Sequence, residues 1–215
     1  RTARFGGNPG PPAQLEPLPD WLLELCASVG HATSSVLKQR LHEDDGPQDA
    51  SGKTADTLGD HQGMPPKPNH VLVNHYQLGE GILPHTDGPA YAPWAAILSL
   101  SSAVVFEFWR DHAHTASSER PTLSVHVPPR SLLLFCQDAY CSHLHGIVDR
   151  RHDAIDSSTA NAEDFMKEGQ TALARGERYS LTLRYVPGSA PPEHSKADDK
   201  ATSSDDGAEG IRIRE

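Results

Sequence analysis

The chain has 215 residues, of which 36% are apolar and 6% aromatic, and its formal net charge is −10. This length fits one domain better than two, and the low apolar fraction predicts that part of the chain lies outside the packed core. No apolar run approaches the length of a membrane-spanning helix, so no transmembrane segment is predicted, and the charge excludes a surface that is basic throughout.

The predicted elements begin with one helix and continue as short strands. Residues 19–29 predict an amphipathic helix, because Asp20 can cap its start and apolar residues then recur at helical spacing. The later segments are rich in Val, Leu and aromatic residues and are interrupted by Gly, Pro or Ser, which is typical of strands. The predicted strands are 70–77, 94–100, 103–109, 122–127, 131–136, 143–148 and 178–186, with a short helix near 162–167. This order predicts a mainly β protein, an antiparallel sandwich or jelly roll.

Three segments, 39–68, 149–176 and 188–215, contain too few apolar residues to offset the entropy cost of ordering them. They are expected to be solvated loops, or else an active-site flap or an interaction tail. The net charge is −5 over 42–60 and −3 over 187–215, which leaves only −2 for the rest. The folded part is therefore nearly neutral, so strong sequence-independent binding to phosphates is not expected, while capture of a single base is allowed.

A histidine and an aspartate lie two positions apart in the sequence Pro-His-Thr-Asp-Gly. In an extended segment such residues point to the same side, so His85 and Asp87 can approach one ion. A third ligand is available downstream, where His143 and His145 are both candidates. Two imidazoles and one carboxylate cover one face of an octahedral ion and leave three positions open, an arrangement that suits Fe(II) and reaction with oxygen.

The histidine pair also has two ordinary explanations. His143 and His145 can be buried structural side chains, or they can form a partial zinc site with Cys136 and Cys141. The resulting C-x4-C-x-H-x-H spacing is not a standard zinc ligand set. The chain has three cysteines, an odd and small number that argues against a disulfide framework and for a reducing compartment.

The segment 178–184 alternates strictly between polar and apolar residues, with an arginine at each end of its polar face. Arg178 and Arg184 are about 20 Å apart along a strand. If both guanidinium groups reach inward, the gap between them fits a five-carbon dicarboxylate. Asn74 and Tyr76 share a face of an earlier strand and can donate hydrogen bonds to the same ligand. The simpler alternative is a polar face that meets water.

Together these elements resemble the AlkB family of Fe(II)- and 2-oxoglutarate-dependent dioxygenases, especially its homologue 6 branch. The matching segments are NHVLVNHYQLGEGILPHTDGPAY (69–91), HLHGI (143–147), RYSLTLR (178–184), FGGNPG near the start and PPRSLLLF (128–135). The resemblance implies a double-stranded β-helix core, that is, a cupin-like jelly roll. The implied divisions are an N-terminal extension whose helix packs on the core (1–38), an acidic flexible loop (39–68), a dioxygenase domain (69–187) with a flexible insertion (149–176), and a disordered acidic tail (188–215).

The resemblance also implies a role for each site residue. Iron is bound by His85, Asp87 and His145, since His145 is the histidine that precedes Gly-Ile. His143 is expected to be structural. The implied ligands of 2-oxoglutarate are Asn74, Tyr76, Arg178 and Arg184. Ser180 stands where many members of the family have Asn, so a direct contact between Ser180 and the cosubstrate is not expected.

The implied reaction consumes oxygen and 2-oxoglutarate, releases succinate and carbon dioxide, and oxidises a substrate C–H bond. An N-methyl group oxidised in this way leaves as formaldehyde. The implied substrates are alkylated nucleobases in RNA or DNA, and a monomer in the cytoplasm and nucleus is expected. Alternatives are a dioxygenase that acts on protein, or a module that binds nucleic acid or protein with little turnover. The complete metal triad and both arginines favour an active enzyme.

A flipped or single-stranded base needs an aromatic surface and basic flanks. Tyr91 and Trp94 are the predicted stacking residues, because they follow the metal motif closely in sequence. Arg1, Arg4 and Lys67 are candidates for contacts with phosphate.

Overall fold

A computed structural model of the chain describes residues 2–6, 17–43, 66–110, 120–167 and 169–188. Three helices lie in this part of the chain: α1 (Asp20–Glu43), α2 (Gln137–Cys141) and α3 (Glu163–Lys167). None of the described helices is long and apolar enough to cross a membrane. The strands are β1 (Thr2–Gly6), β2 (His70–Tyr76), β3 (Ile82–His85), β4 (Trp94–Ser101), β5 (Val104–Arg110), β6 (Leu123–Val127), β7 (Ser131–Cys136), β8 (His143–Ile147), β9 (His152–Ala154), β10 (Thr159–Ala160), β11 (Ala172–Ala174) and β12 (Arg178–Arg184).

Two five-stranded sheets build the core. The major sheet has the order β1-β2-β12-β4-β7 and is antiparallel throughout. The minor sheet has the order β10-β6-β5-β8-β3 and is antiparallel except for the short β10–β6 pair. Side chains of both sheets meet in one apolar cluster that includes Ile97, Phe106, Phe108, Phe135 and Ile147. This is the predicted jelly roll, and all seven predicted strands are present within two residues of their expected bounds.

Helix α1 covers the other face of the major sheet. Leu22, Cys26 and Val29 of the helix pack against a set of strand residues that includes Val71 and Leu183. Burial of apolar side chains on both elements accounts for the apolar stripe in residues 19–29, because that stripe is the face of the helix that meets the sheet.

The helix is longer than predicted, because it runs to Glu43 rather than ending at Val29. The Thr33 hydroxyl donates to the Val29 carbonyl at 2.9 Å, and residues 30–43 include no proline to stop the helix. Its last turn therefore enters the segment predicted to be an acidic loop (39–68). Residues 44–65 of that loop lie outside the described residues, as does the tail from 189 onward.

The segment 149–176, predicted to be loosely ordered, forms β9, β10, α3 and β11 in the structure. Asp153 is fully buried in this segment. Its carboxylate accepts hydrogen bonds from Arg150 Nε at 2.6 Å, Arg175 Nη2 at 2.5 Å and the Val105 backbone N–H at 3.0 Å. A low apolar count does not reveal this order, because a buried charge network and a small apolar cluster of Ile155 and Ala162 with Val105 together hold the segment against β5.

Candidate active site

The two sequence motifs that contain histidine meet where β3 pairs with β8. His85 and His145 are direct partners in this antiparallel pair, and their ring centres are 4.5 Å apart. Gly146 allows the two strands to approach closely, because a Cβ atom there would lie only 2.8 Å from the Ile82 carbonyl oxygen. Strand β3 was not predicted, since Pro84 interrupts its pattern, yet this edge strand positions His85.

Asp87 follows β3 and completes a cluster with both histidines. One ligand atom from each of His85, Asp87 and His145 lies within 4.8 Å of the others, and no second group of this kind occurs among the described residues. The cluster therefore contains the three residues that the sequence predicted.

The structure also distinguishes the alternatives for His143, which were a metal ligand, a structural side chain or part of a zinc site. His143 is buried, its Nδ1 lies 3.0 Å from the Asp138 backbone carbonyl, and it is not part of the cluster that His85, Asp87 and His145 form. In the part of the chain that the structure describes, His143 forms no metal-binding group with Cys136 and Cys141. The expectation of a structural His143 agrees with this placement.

The protonation and bonding of the two histidines fit a metal ion. The Nδ1 of His85 lies 2.8 Å from the Leu83 carbonyl, so a proton donated from Nδ1 leaves Nε2 available as a ligand. Burial lowers the pKa of His145 to about 3, with further contributions from the nearby His85 and Arg184. His145 is therefore neutral at physiological pH, as a metal-binding imidazole must be.

The two carboxylate oxygens of Asp87 have different environments. Oδ1 accepts a hydrogen bond from Arg184 Nη2 at 2.6 Å, whereas Oδ2 is buried and has no partner among the described residues. Burial raises the pKa of this carboxyl, an effect that Arg184 and His85 partly offset. A buried oxygen without a partner, beside two imidazoles, is a donor set that a divalent cation completes, so these residues fit Fe(II).

The predicted cosubstrate residues line a cleft next to this cluster. Strand β12 pairs with β2 so that Arg178 is opposite Tyr76 and Ser180 is opposite Asn74. These four side chains line one cleft with His85 and His145. The alternation in the sequence therefore predicted correctly which polar side chains share a face, and that face points inward rather than to water.

Arg178 has the free donors that a carboxylate needs. Its Nε donates to Ser99 Oγ at 3.0 Å, while Nη1 and Nη2 are buried without a partner in the described structure. Its Cζ lies 5.3 Å from the centre of the Tyr76 ring. A guanidinium held at Nε, with both terminal nitrogens free, is prepared to bind a carboxylate with two hydrogen bonds, which fits 2-oxoglutarate.

Arg184 has a role that the sequence did not indicate. It also lines the cleft, but its Nη2 is engaged with Asp87, and its Cζ lies 4.7 Å from the Tyr91 ring centre. Arg184 thus connects the cosubstrate cleft to a predicted metal ligand. Ser99 was missed as well, although it is a polar residue within an otherwise apolar predicted strand.

The prediction that Trp94 stacks on the substrate is wrong. Trp94 is fully buried in the apolar cluster between α1 and the major sheet, so it cannot stack on a substrate. Trp94 is the first residue of β4, and its side chain lies on the sheet face that α1 covers. Its closeness to the metal motif in the sequence does not indicate which face of the sheet it occupies. Tyr91 is half-buried and lies beside Arg184.

The residues predicted to contact phosphate are only partly described. Lys67 is exposed, and its backbone approaches Gly30 of α1. Arg1 lies outside the described residues, and only the backbone of Arg4 is described, within β1.

Comparison with known proteins agrees with this geometry. Residues 4–184 match the family profile of the 2OG-Fe(II) oxygenase superfamily. The chain is 33% identical over 194 residues to "Probable RNA/DNA demethylase ALKBH6" of Danio rerio, a match that covers 87% of this chain and 71% of that protein. It is 35% identical over 121 residues to "Uncharacterized protein L905" of Acanthamoeba polyphaga mimivirus, covering 56% of this chain and 49% of that one.

A solved structure has the same fold. The structure of OsALKBH1 matches with a TM-score of 0.51 at 16% sequence identity, covering 86% of this chain and 77% of that chain. The fold and site thus define an Fe(II)- and 2-oxoglutarate-dependent oxygenase. The chain belongs to the 2OG-Fe(II) oxygenase superfamily and, within it, to the AlkB family. It is an enzyme whose cofactor is Fe(II) and whose cosubstrates are 2-oxoglutarate and oxygen.

Proposed function

We propose that this enzyme removes methyl groups oxidatively from N-methylated nucleobases in RNA or DNA, with iron held by His85, Asp87 and His145. The observation that carries the proposal is the cluster of these three residues beside the free guanidinium nitrogens of Arg178. The similarity to a protein named as a probable RNA/DNA demethylase supports the choice of substrate class.

Arg178 binds one carboxylate of 2-oxoglutarate, assisted by Tyr76 and Asn74 from the adjacent strand. Burial raises the pKa of the Tyr76 hydroxyl, an effect that Arg178 and Ser180 partly offset, so the phenol stays protonated and can donate. Arg184 lies at the metal end of the same cleft. There it orients Asp87 and contributes positive charge toward the second carboxylate of the cosubstrate.

Aromatic side chains shield the metal end of the cleft. The rings of Phe135, Phe106 and Phe108 have their centres 4.9, 5.8 and 6.4 Å from that of His145. When bound, iron and 2-oxoglutarate supply the oxidation of a C–H bond by oxygen. The chain's own contribution is to fix the ligands, to keep His145 neutral and to keep water away from the reacting centre.

Single-stranded oligonucleotides provide the test. The protein is incubated with Fe(II), ascorbate and 2-oxoglutarate together with matched RNA and DNA strands that differ only in one N-methyl group. We expect formaldehyde, and a loss of mass equal to one methylene, only from the methylated strands. Methylated histone peptides serve as the comparison. Demethylation of the peptides alone would replace a nucleic-acid substrate with a protein substrate, and the absence of both reactions would refute the proposal.

A further inference from the structure

Tyr91 contacts the arginine that supports a predicted metal ligand. The centre of its ring lies 4.7 Å from Cζ of Arg184, which is close enough for a cation–π interaction. Arg184 Nη2 in turn donates to Asp87 Oδ1 at 2.6 Å. The side chains of Arg184 and Asp87 are only 8% and 3% exposed, so water screens these contacts little. Tyr91 therefore touches the buried ion pair that holds Asp87.

The ring of Tyr91 contacts two neighbouring strands. His70 of β2 is the direct partner of Arg184 of β12 in the antiparallel pair. The Tyr91 ring centre is 5.2 Å from that of the fully buried His70, and the two ring planes are tilted by 54°. Because it meets Arg184 and His70 together, the ring takes up the space beside the guanidinium and limits the positions that the guanidinium can adopt.

Backbone hydrogen bonds hold the segment that carries Tyr91. The Tyr91 backbone N–H donates to the Gly88 carbonyl at 3.4 Å, so the chain turns directly after Asp87. The Ala92 backbone N–H then donates to the Tyr185 carbonyl at 2.9 Å, which attaches the segment to the residue that follows β12. Asp87 and Tyr91 thus belong to one short, anchored segment, and both contact the same guanidinium.

An aromatic ring can also stack on a substrate base, which is the role that the sequence predicted for Tyr91. In the structure the ring is half-buried and already contacts a guanidinium and an imidazole. These contacts favour support of the metal site over stacking. The two roles differ in a measurable way, because only support of the metal site acts in the absence of nucleic acid.

We propose that Tyr91 is a positioning residue that holds Arg184 against Asp87 and so raises the affinity for Fe(II), an inference that rests on the assignment of iron to Asp87 and not on the substrate. Hydrogen bonds to a ligating group orient it, and loss of such a partner weakens metal binding by about 10- to 100-fold. Tyr91 acts one contact further out, through the guanidinium. Its removal should therefore have an effect at the lower end of that range.

The test measures Fe(II) affinity without nucleic acid, by anaerobic calorimetric titration of the metal-free protein. We expect Tyr91→Leu and Tyr91→Met to weaken Fe(II) binding by about tenfold, because neither side chain offers the guanidinium a π face. Two apolar variants are used so that one poorly folded protein does not decide the result. Tyr91→Phe keeps the ring and should stay within about threefold of the unsubstituted protein. The absorbance of the anaerobic complex with 2-oxoglutarate, at limiting Fe(II), should fall in the two apolar variants only.

A double-mutant cycle tests whether Tyr91 acts through Arg184. In an Arg184→Gln background, Tyr91→Leu should change Fe(II) affinity by less than about twofold, because the guanidinium that Tyr91 holds is gone. Tyr179→Leu is the matched control. Tyr179 lies an odd number of positions from Arg184 on β12 and so on the opposite face, where its ring stacks on His75 with centres 4.4 Å apart. This control should bind Fe(II) with unchanged affinity.

Each other result has a definite meaning. Unchanged Fe(II) affinity in both apolar variants, an equal loss in Tyr91→Phe, or the same loss in the Arg184→Gln background would overturn the proposal. Unchanged Fe(II) affinity together with a raised KM for the methylated oligonucleotide at saturating iron would assign Tyr91 to the substrate instead. These results leave the demethylase proposal intact. An unsubstituted protein that binds no Fe(II) would refute the metal site itself, and the role of Tyr91 would fail with it.

Discussion

At the residue scale, Asp87 has two tasks, one for each carboxylate oxygen. One oxygen is hydrogen-bonded to Arg184, and the other is buried without a partner among the described residues, in a carboxylate that forms a cluster with both histidines. Hydrogen bonds to a ligating carboxylate orient it and so tune the metal site. The sequence predicted Arg184 only as one of two arginines that bind a dicarboxylate. The structure shows that it also orients a predicted metal ligand, Asp87.

Replacement of the Asp87 carboxylate should lower the enzyme's activity and leave its fold intact. We expect Asp87→Asn to lower the formation of succinate from 2-oxoglutarate by about 100-fold or more, because the amide is a poor ligand for Fe(II). Thr86→Ala is the control, since the exposed Thr86 lies between the two ligands and is not part of the cluster. The measurement is succinate release together with Fe(II) affinity. Turnover that survives in Asp87→Asn would contradict the assignment of the metal ligands.

At the element scale, the close approach of β3 and β8 determines the distance between the two histidines. Gly146 has the Ile82 carbonyl oxygen at 2.8 Å and the Pro84 Cα at 3.1 Å from the place where a Cβ would lie. Both neighbours are backbone atoms, which cannot move without shifting the whole of β3. The Gly in the His-Gly-Ile motif is therefore a packing requirement of this strand pair.

Addition of one methyl group at position 146 should move β3 away from β8. We expect Gly146→Ala to weaken Fe(II) binding by about tenfold or more, as for loss of precise ligand placement, because β3 would carry His85 away from His145. Gly88→Ala should leave binding unchanged, since nothing lies within 4 Å of a Cβ at that position. Calorimetric titration of the metal-free proteins measures both effects. Equal iron affinity in the two variants would show that the strand contact does not set the histidine geometry.

The segment 149–176 is anchored in part by a single buried carboxylate, that of Asp153. Asp153 joins Arg150 and Arg175, and Arg150 continues to the buried Glu107 of β5 at 2.9 Å. Removal of one charge from such a network leaves the others buried without compensation, which is usually costly.

We therefore expect Asp153→Asn to lower the free energy of unfolding by about 3–5 kcal/mol, measured by denaturation in urea. Asp156→Asn should change it by less than about 1 kcal/mol, because Asp156 is exposed and the amide oxygen can still accept from the Ser158 backbone N–H. Similar stabilities for the two variants would show that the ion network does not anchor the segment.

At the scale of the whole molecule, the site lies between the two sheets. The major sheet supplies the cosubstrate residues on β2 and β12, and the minor sheet supplies the two histidines on β3 and β8. Buried polar groups without a partner among the described residues meet there from both sheets, such as Nη1 and Nη2 of Arg178 and Nδ1 of His145. Ligands that satisfy these groups should therefore stabilise the fold as a whole.

We expect Mn(II), used as a redox-inactive substitute for iron, and 2-oxoglutarate to raise the melting temperature of metal-free protein. Each ligand at about 100 times its Kd adds about 2.7 kcal/mol, or about 5–10 °C for a chain of this size. Arg178→Lys should keep the increment from the metal and lose most of that from 2-oxoglutarate, because lysine cannot bind a carboxylate with a fork of two N–H groups. Scanning calorimetry measures both increments. An identical response in the variant would contradict the role of Arg178.

The sequence by itself determined the class of fold and the chemistry of the site. Residues an even number of positions apart in an extended segment share a face, so the pairing of His85 with Asp87, and of Arg178 with Arg184, follows from their spacing alone. The jelly roll and its seven predicted strands follow from the same local periodicity. These features depend on neighbouring residues along the chain, which the sequence shows directly.

The tertiary structure alone decided which faces are covered and which charges meet. It buried Trp94 beneath α1, ordered 149–176 in part through Asp153 and paired Arg184 with Asp87. Each of these contacts joins residues from separate elements. Local periodicity carries no information about such partners, because their energies depend on packing between segments that are distant in the chain.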